Sequence, residues 1–196
     1  MPDFDFQQQL RLENERVLLR PLTAEDYDYL SPLAFADKDI IRFSPRQIHT
    51  PELLQEYLQD ALRGRAAATR YPFLIFDKET QAYAGSTSIC AVSNFDKRLE
   101  IGYTWYGKKF QRTGLNRHCK WLLLQYAFET LGFERVEFKV DERNVVSQTA
   151  VLRLGATKEG TLRSHTVMSD SFRRNTVYFS ILKDEWASIK AHFPLY

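Results

Sequence analysis

The chain has little that would cross-link it or carry it through a membrane. Of 196 residues only two are cysteine, Cys90 and Cys119, and they fall on separate elements. That count argues against a disulfide scaffold and fits free, buried thiols in a reducing compartment. No apolar run approaches the ~20 residues of a membrane span. Met1 to Leu10 is acidic and glutamine-rich, without the apolar segment of a secretory signal, so the expected location is cytoplasmic. An excess of one charge is also missing. The 27 Lys and Arg against 25 Asp and Glu leave a net charge of +2, too mild to argue for a nucleic-acid partner. The basic clusters Arg63/Arg65/Arg70 and Arg173/Arg174 read as solvated faces, with a phosphate-rich ligand or an RNA-associated substrate as the alternative. The four histidines never stand at ligand spacing from a cysteine, so no metal site is expected. Neither G-x-x-x-x-G-K-[ST] nor G-x-G-x-x-G occurs, which removes the two nucleotide loops with fixed spacing.

What is present is an ordinary globular composition, 44% hydrophobic and 27% charged. With no repeat, low-complexity tract or long linker, it reads as a single domain over 1–196, residues 1–12 or so being an extension. Arg16 to Leu22 alternates as a strand. Thr23 to Phe35 starts with a cap and acids, as a helix does. Thr50-Pro51-Glu52 opens a second helix, with proline at the first helical position. Tyr71–Phe76, Ala82–Val92 and Arg98–Tyr106 are strands joined by short turns, an antiparallel meander. A helix from about Thr113 to Leu131, closed by Gly132, leads to a strand over Phe133–Val140. That strand–helix–strand unit implies a right-handed parallel crossover. A short helix over Asn144–Leu154 precedes strands Ala156–Arg163 and Asn175–Leu182, and Asp184–Ala191 ends the pattern. The order predicts a mixed, mostly antiparallel twisted sheet of about six to seven strands with helices on both faces, an α/β (α+β mixed) fold.

The junction Gln111-Arg112-Thr113-Gly114-Leu115-Asn116 joins a strand to the longest helix. A glycine turn feeding a helix N-terminus leaves backbone N–H groups without intrahelical partners. The helix dipole adds positive charge there, and the pair of effects suits a phosphate or pyrophosphate. Lys108, Lys109, Arg112 and Arg117 add charge at the same spot. A plain chain reversal is the alternative reading.

Two motifs give the junction a context. The first is Glu100-Ile101-Gly102-Tyr103 followed by Gly107 through Asn116. The second is Asn144-Val145-Val146-Ser147, then Val151 through Ala156, then Glu159-Gly160. At their relative spacing they resemble the signature segments of the GNAT N-acetyltransferase superfamily, and most closely its ribosomal-protein N-terminal acetyltransferase branch. The resemblance covers roughly residues 15 to 182. It departs at Asn116, where the signature has a small residue, and at Ala156, where it has phenylalanine.

The resemblance implies acetyl-coenzyme A as co-substrate and direct transfer to an amine in a ternary complex. Its pyrophosphate would sit on Gln111, Arg112, Thr113, Gly114, Leu115, Asn116 and Arg117. Its pantetheine would lie like a strand between Arg98–Tyr106 and Phe133–Val140, beside Ile101, Gly102 and Tyr103, with Asn144 and Ser147 near it. Glu100 is the candidate base, or else a solvent-facing glutamate paired with a lysine or arginine. On strict alternation it shares a face with Gly102 and Thr104, opposite Leu99, Ile101, Tyr103 and Trp105. Ser147 is the candidate partner of the leaving thiol, or an ordinary helix-start hydroxyl. Asn144 contacts the pantetheine or shapes the helix start. The acceptor is a small-molecule or protein/peptide amine, met by segments 36–50 and 164–174; no membrane or metal is implied, and the chain is expected as a monomer or homodimer. The rival reading is a degenerate module that holds coenzyme A and acts through a partner.

Overall fold

The computed structural model describes residues 1–193. Eight strands form one sheet: β1 (Leu12–Glu13), β2 (Val17–Pro21), β3 (Arg70–Asp77), β4 (Ala82–Ser93), β5 (Arg98–Tyr106), β6 (Arg135–Asp141), β7 (Thr157–Val167) and β8 (Arg173–Leu182). Their order is β1-β2-β3-β4-β5-β6-β8-β7. The strand beyond the expected count is β1, two residues long. Every neighbouring pair is antiparallel except β5 with β6.

Five α-helices cover the sheet: α1 (Tyr27–Phe35), α2 (Pro51–Ala66), α3 (Leu115–Gln125), α4 (Val145–Leu152) and α5 (Lys183–Ala191). The caps follow the sequence. Thr50 Oγ1 accepts the Leu53 N–H at 3.3 Å with Pro51 at the first helical position, and Asn144 Oδ1 accepts the Ser147 N–H at 3.1 Å. One face of the sheet packs with α3 and α5 residues such as Leu115, Leu123 and Trp186. The other packs under α1 and α2 around Leu30, Leu54, Tyr57 and Trp105. Phe4, Phe6 and Leu10 are buried in the first of these clusters, so the N-terminal segment closes part of the core.

Two expectations are corrected. The helix over Thr113 to Leu131 is α3 followed by a π-helical turn, Tyr126–Thr130. In this wider turn the Leu131 N–H reaches back five residues to the Tyr126 carbonyl at 3.0 Å, and Tyr126, Ala127 and Phe128 are all buried. The second correction lies in β5. Ser88 pairs with Gly102 and Ser86 with Trp105, so Tyr103 and Thr104 share the single partner position of Thr87. This is a bulge, and it reverses the alternation beyond it. Trp105 therefore packs in the α1/α2 cluster, on the Glu100 side, while Thr104 meets Lys120 of α3 at 2.7 Å.

Candidate active site at the β5–β6 wedge

The parallel pairing of β5 and β6 lasts three residues. Arg98, Leu99 and Glu100 face Arg135, Val136 and Glu137, and no register is kept beyond Glu100. β5 continues on β4 to Tyr106 and β6 continues on β8 to Asp141. The two strands thus part into a wedge whose inner edges carry unused backbone donors and acceptors. Glu100 stands at its apex. Both chains turn into helices at the open end, β5 through a 3-10 turn (Lys108–Phe110) into α3 and β6 through Asn144 into α4. Such an opening at the carboxyl ends of parallel strands is where open sheets take ligands.

The open end has the features of an anion seat. Arg112 at φ +62° and Gly114 at φ +88° bend the chain into the start of α3. Among the described residues no acceptor takes the backbone N–H of Arg112, Thr113 or Gly114. A side chain at Gly114 would be strained by its φ and would press on Arg117 Nη2 at 3.3 Å. The other members of the motif hold the turn in shape. Gln111 Nε2 donates to the Tyr106 carbonyl at 3.1 Å and Thr113 Oγ1 to the Phe110 carbonyl at 2.9 Å. Leu115 and Ile101 are buried, so their backbone is the part available to a ligand. Asn116 is turned inward, where its Oδ1 accepts the Tyr106 hydroxyl at 3.1 Å.

At the apex, Glu100 Oε2 accepts from Lys139 Nζ at 2.7 Å. Burial works against the Lys139 charge, but the hydrogen bond and charge of Glu100 outweigh it and raise its pKa. A Cβ at Gly102 would lie 2.9 Å from Glu100 Oε1, so the glycine makes room for the carboxylate. Tyr103, at φ +50°, lays its ring over the Arg70 guanidinium at 3.9 Å. Ser147 is half-buried at the start of α4, with its backbone N–H held by Asn144.

Segments 36–50 and 164–174, the candidate acceptor segments, meet. Arg174 Nη1 donates to the Phe43 carbonyl at 3.2 Å, and the Arg143 guanidinium lies over the Phe172 ring at 4.0 Å. A cleft of about 490 Å³ between them is lined by Arg42, Phe43, Arg143, Met168 and Asp170.

Two groups escaped the sequence reading. Lys120 is buried on α3, its Nζ on Thr104 Oγ1 of β5 and 6.0 Å from the Phe138 ring of β6. It lies under the wedge with no carboxylate partner among the described residues, and burial pulls its pKa down to about 8. A lone lysine beside an apolar helical stripe gives no signal of this. Arg70 is the other. It was expected on a solvated face and is 7% exposed, because the strand begins at Arg70 and turns it beneath α2.

Comparison with known proteins agrees with this geometry. A family model described as an acetyltransferase (GNAT) domain matches residues 16–157. The chain belongs to the GNAT acetyltransferase family. It is 29% identical over 182 residues to an uncharacterized N-acetyltransferase, p20, of Bacillus licheniformis, the match covering 90% of this chain and 98% of that one. It is 26% identical over 189 residues to YdaF of Bacillus subtilis (strain 168), which carries a provisional name as a ribosomal N-acetyltransferase, over 90% and 97% of the two chains. The crystal structure of a GCN5-related N-acetyltransferase from Brucella melitensis matches with a TM-score of 0.88 at 25% identity, covering 95% of this chain and 84% of that one. GNAT enzymes use acetyl-coenzyme A. The residues here fit it: a wedge with free backbone edges for an amide-bearing arm, and three unpartnered N–H groups with Arg112 and Arg117 for a pyrophosphate.

Proposed function

We propose that this GNAT enzyme moves an acetyl group from acetyl-coenzyme A to a primary amine, by direct transfer in a ternary complex. The observation that carries the reading is the wedge between β5 and β6 with unpartnered amides at its open end. Acetyl-coenzyme A supplies an activated thioester carbonyl. The chain must supply a neutral amine and a destination for two protons. Arg112, Thr113, Gly114 and Arg117 hold phosphate, with Gln111, Leu115 and Asn116 shaping the turn. Ile101, Gly102 and Tyr103 present backbone along one edge of the wedge. Glu100, oriented by Lys139, takes the amine proton directly or through water. Ser147, whose position Asn144 fixes, gives a hydrogen bond to the departing thiolate.

The acceptor amine sets how hard Glu100 must work. Deprotonating a lysine amine at pH 7.5 costs roughly 4 kcal/mol, and an α-amine well under ~1 kcal/mol. A carboxylate already engaged by Lys139 suits the easier task, so we assign an α-amine, consistent with the ribosomal name carried by YdaF. The cytoplasm, where such acceptors are made, is the matching compartment; no helix among the described residues is long and apolar enough to cross a membrane. Thiol release from acetyl-coenzyme A is measured with α-amine peptides, polyamines and aminoglycosides side by side. Release with the peptides is expected. Coenzyme A binding without release on any amine would favour the non-catalytic module.

A further inference from the structure

The Glu100 side of the sheet holds donors that no group among the described residues satisfies. Arg70, Cys90 and Glu100 lie abreast across β3, β4 and β5. Arg70 is sandwiched between the rings of Tyr57 at 4.9 Å and Tyr103 at 3.9 Å. Its Nε donates to Ser88 Oγ at 2.9 Å and its Nη2 to the Tyr57 hydroxyl at 2.8 Å. Its Nη1 has no partner among the described residues, and it is not one of the sealed atoms, of which His49 Nδ1 alone lacks a partner. The Tyr57 oxygen also accepts from Trp105 Nε1 at 3.2 Å. Both its lone pairs are then in use, and its own proton has no acceptor among the described residues. Among the described residues no carboxylate pairs with Arg70. Across the wedge, Arg174 likewise bonds, among the described residues, only Thr176 Oγ1 and the Phe43 carbonyl. The acids whose charge Arg174 feels, Asp141 and Glu100, are bonded to Arg143 and Lys139.

A nearly buried guanidinium without a counter-ion, next to a hydroxyl proton without an acceptor, is an incomplete site. We infer that the amine acceptor carries a carboxylate near its reactive amine, and that Arg70 and Tyr57 receive it, with Arg174 on the opposite rim. The inference rests on the acetyltransferase reading and adds the acceptor's chemistry. Two strand spacings separate the backbones of Arg70 and Glu100, about 10 Å. An amine at Glu100 and a carboxylate at Arg70 therefore belong to one small amino acid or to the first two residues of a peptide. Tyr103, fixed at φ +50° by the bulge and half-exposed, forms the wall between them.

Matched acceptors test this. One arm compares serine with serinamide; the other compares peptides beginning Ser-Asp and Ser-Asn. Each is measured as kcat/KM for thiol release, corrected for the neutral fraction of its amine, and as calorimetric affinity for the coenzyme A complex. In at least one arm the acid is expected to exceed its amide by tenfold or more by both measures. Y57F, which keeps the ring that stacks on Arg70, should shrink that ratio severalfold, as should R174Q to a lesser degree. Ratios near one in both arms overturn the inference, as does a ratio that Y57F and R70Q, the latter checked for folding, leave unchanged. Failure of the parent reading looks different: coenzyme A then gives no heat of binding and no amine releases thiol.

Discussion

Glu100 owes its position to two neighbours. Gly102 leaves space for the carboxylate, and Lys139 fixes one of its oxygens. E100Q keeps the shape and removes the proposed base, and turnover should fall roughly 10²–10⁴-fold on a lysine-type acceptor and less on an α-amine, with coenzyme A affinity nearly intact. Wild-type rates on both acceptors would end the assignment. Asn116 breaks the family pattern, yet its side chain serves the buried Tyr106 hydroxyl rather than the phosphate seat. N116A should cost about 1 kcal/mol of stability through the lost hydrogen bond and leave coenzyme A affinity unchanged, read by denaturant unfolding and calorimetry. Lys120 makes a prediction in pH. Its folded pKa of about 8 lies below the unfolded value, so between the two the unfolded chain binds the extra proton and stability rises with pH. Below pH 8 the cost of a buried charge is borne in full. The stability of K120M relative to wild type should therefore be most favourable below pH 8 and decline toward pH 10. A difference that is flat with pH would place the Lys120 charge in contact with solvent.

At the scale of elements, the turn into α3 separates binding from folding. G114V puts a branched side chain at φ +88° beside three unpartnered amides. Coenzyme A affinity should fall at least tenfold in a variant whose unfolding remains cooperative; unchanged affinity would put the phosphates elsewhere. The starts of α2 and α4, at Thr50 and Asn144, could be read from residues alone, because a cap is a local bond between a side chain and a nearby N–H. The phase of β5 could not. Its bulge depends on two residues sharing the position of Thr87 on another strand, and nothing within Arg98–Tyr106 announces it. Arg70 was hidden for a related reason: α2 precedes it closely in the chain, but the packing of Tyr57 back over it and the contact with Tyr103 of β5 are set by the tertiary fold.

For the molecule as a whole, order along the chain was the most legible property. The sequence of strands and helices and the parallel crossover follow from periodicity and turns, whereas segments 36–50 and 164–174 are singled out by their length and by the family resemblance. The burial of Phe4, Phe6 and Leu10 was not legible, since an acidic, glutamine-rich start looks solvated until Tyr71 and Tyr126 are placed against it. Coenzyme A should stabilise the native state by about 2.7 kcal/mol at a hundredfold excess over its dissociation constant. In a chain of this length that is a rise of about 5–10 °C in Tm. No shift in scanning calorimetry at millimolar coenzyme A would remove the basis of the proposed function.

Most sheets have their open edges at the periphery, where charge, proline or a covering loop keeps other chains away. This one has two more in its middle, along β5 beyond Glu100 and β6 beyond Glu137. An unpaired edge is a template, and what distinguishes a ligand arm from a stray strand here is width and the two arginines at the mouth. The empty protein thus carries the hazard of an edge strand at its own centre. Heated without coenzyme A, it should self-associate through these edges before it loses its helices. Light scattering should be delayed by coenzyme A more than the gain in Tm accounts for, since in the proposed binding mode the ligand takes the very bonds another chain would take.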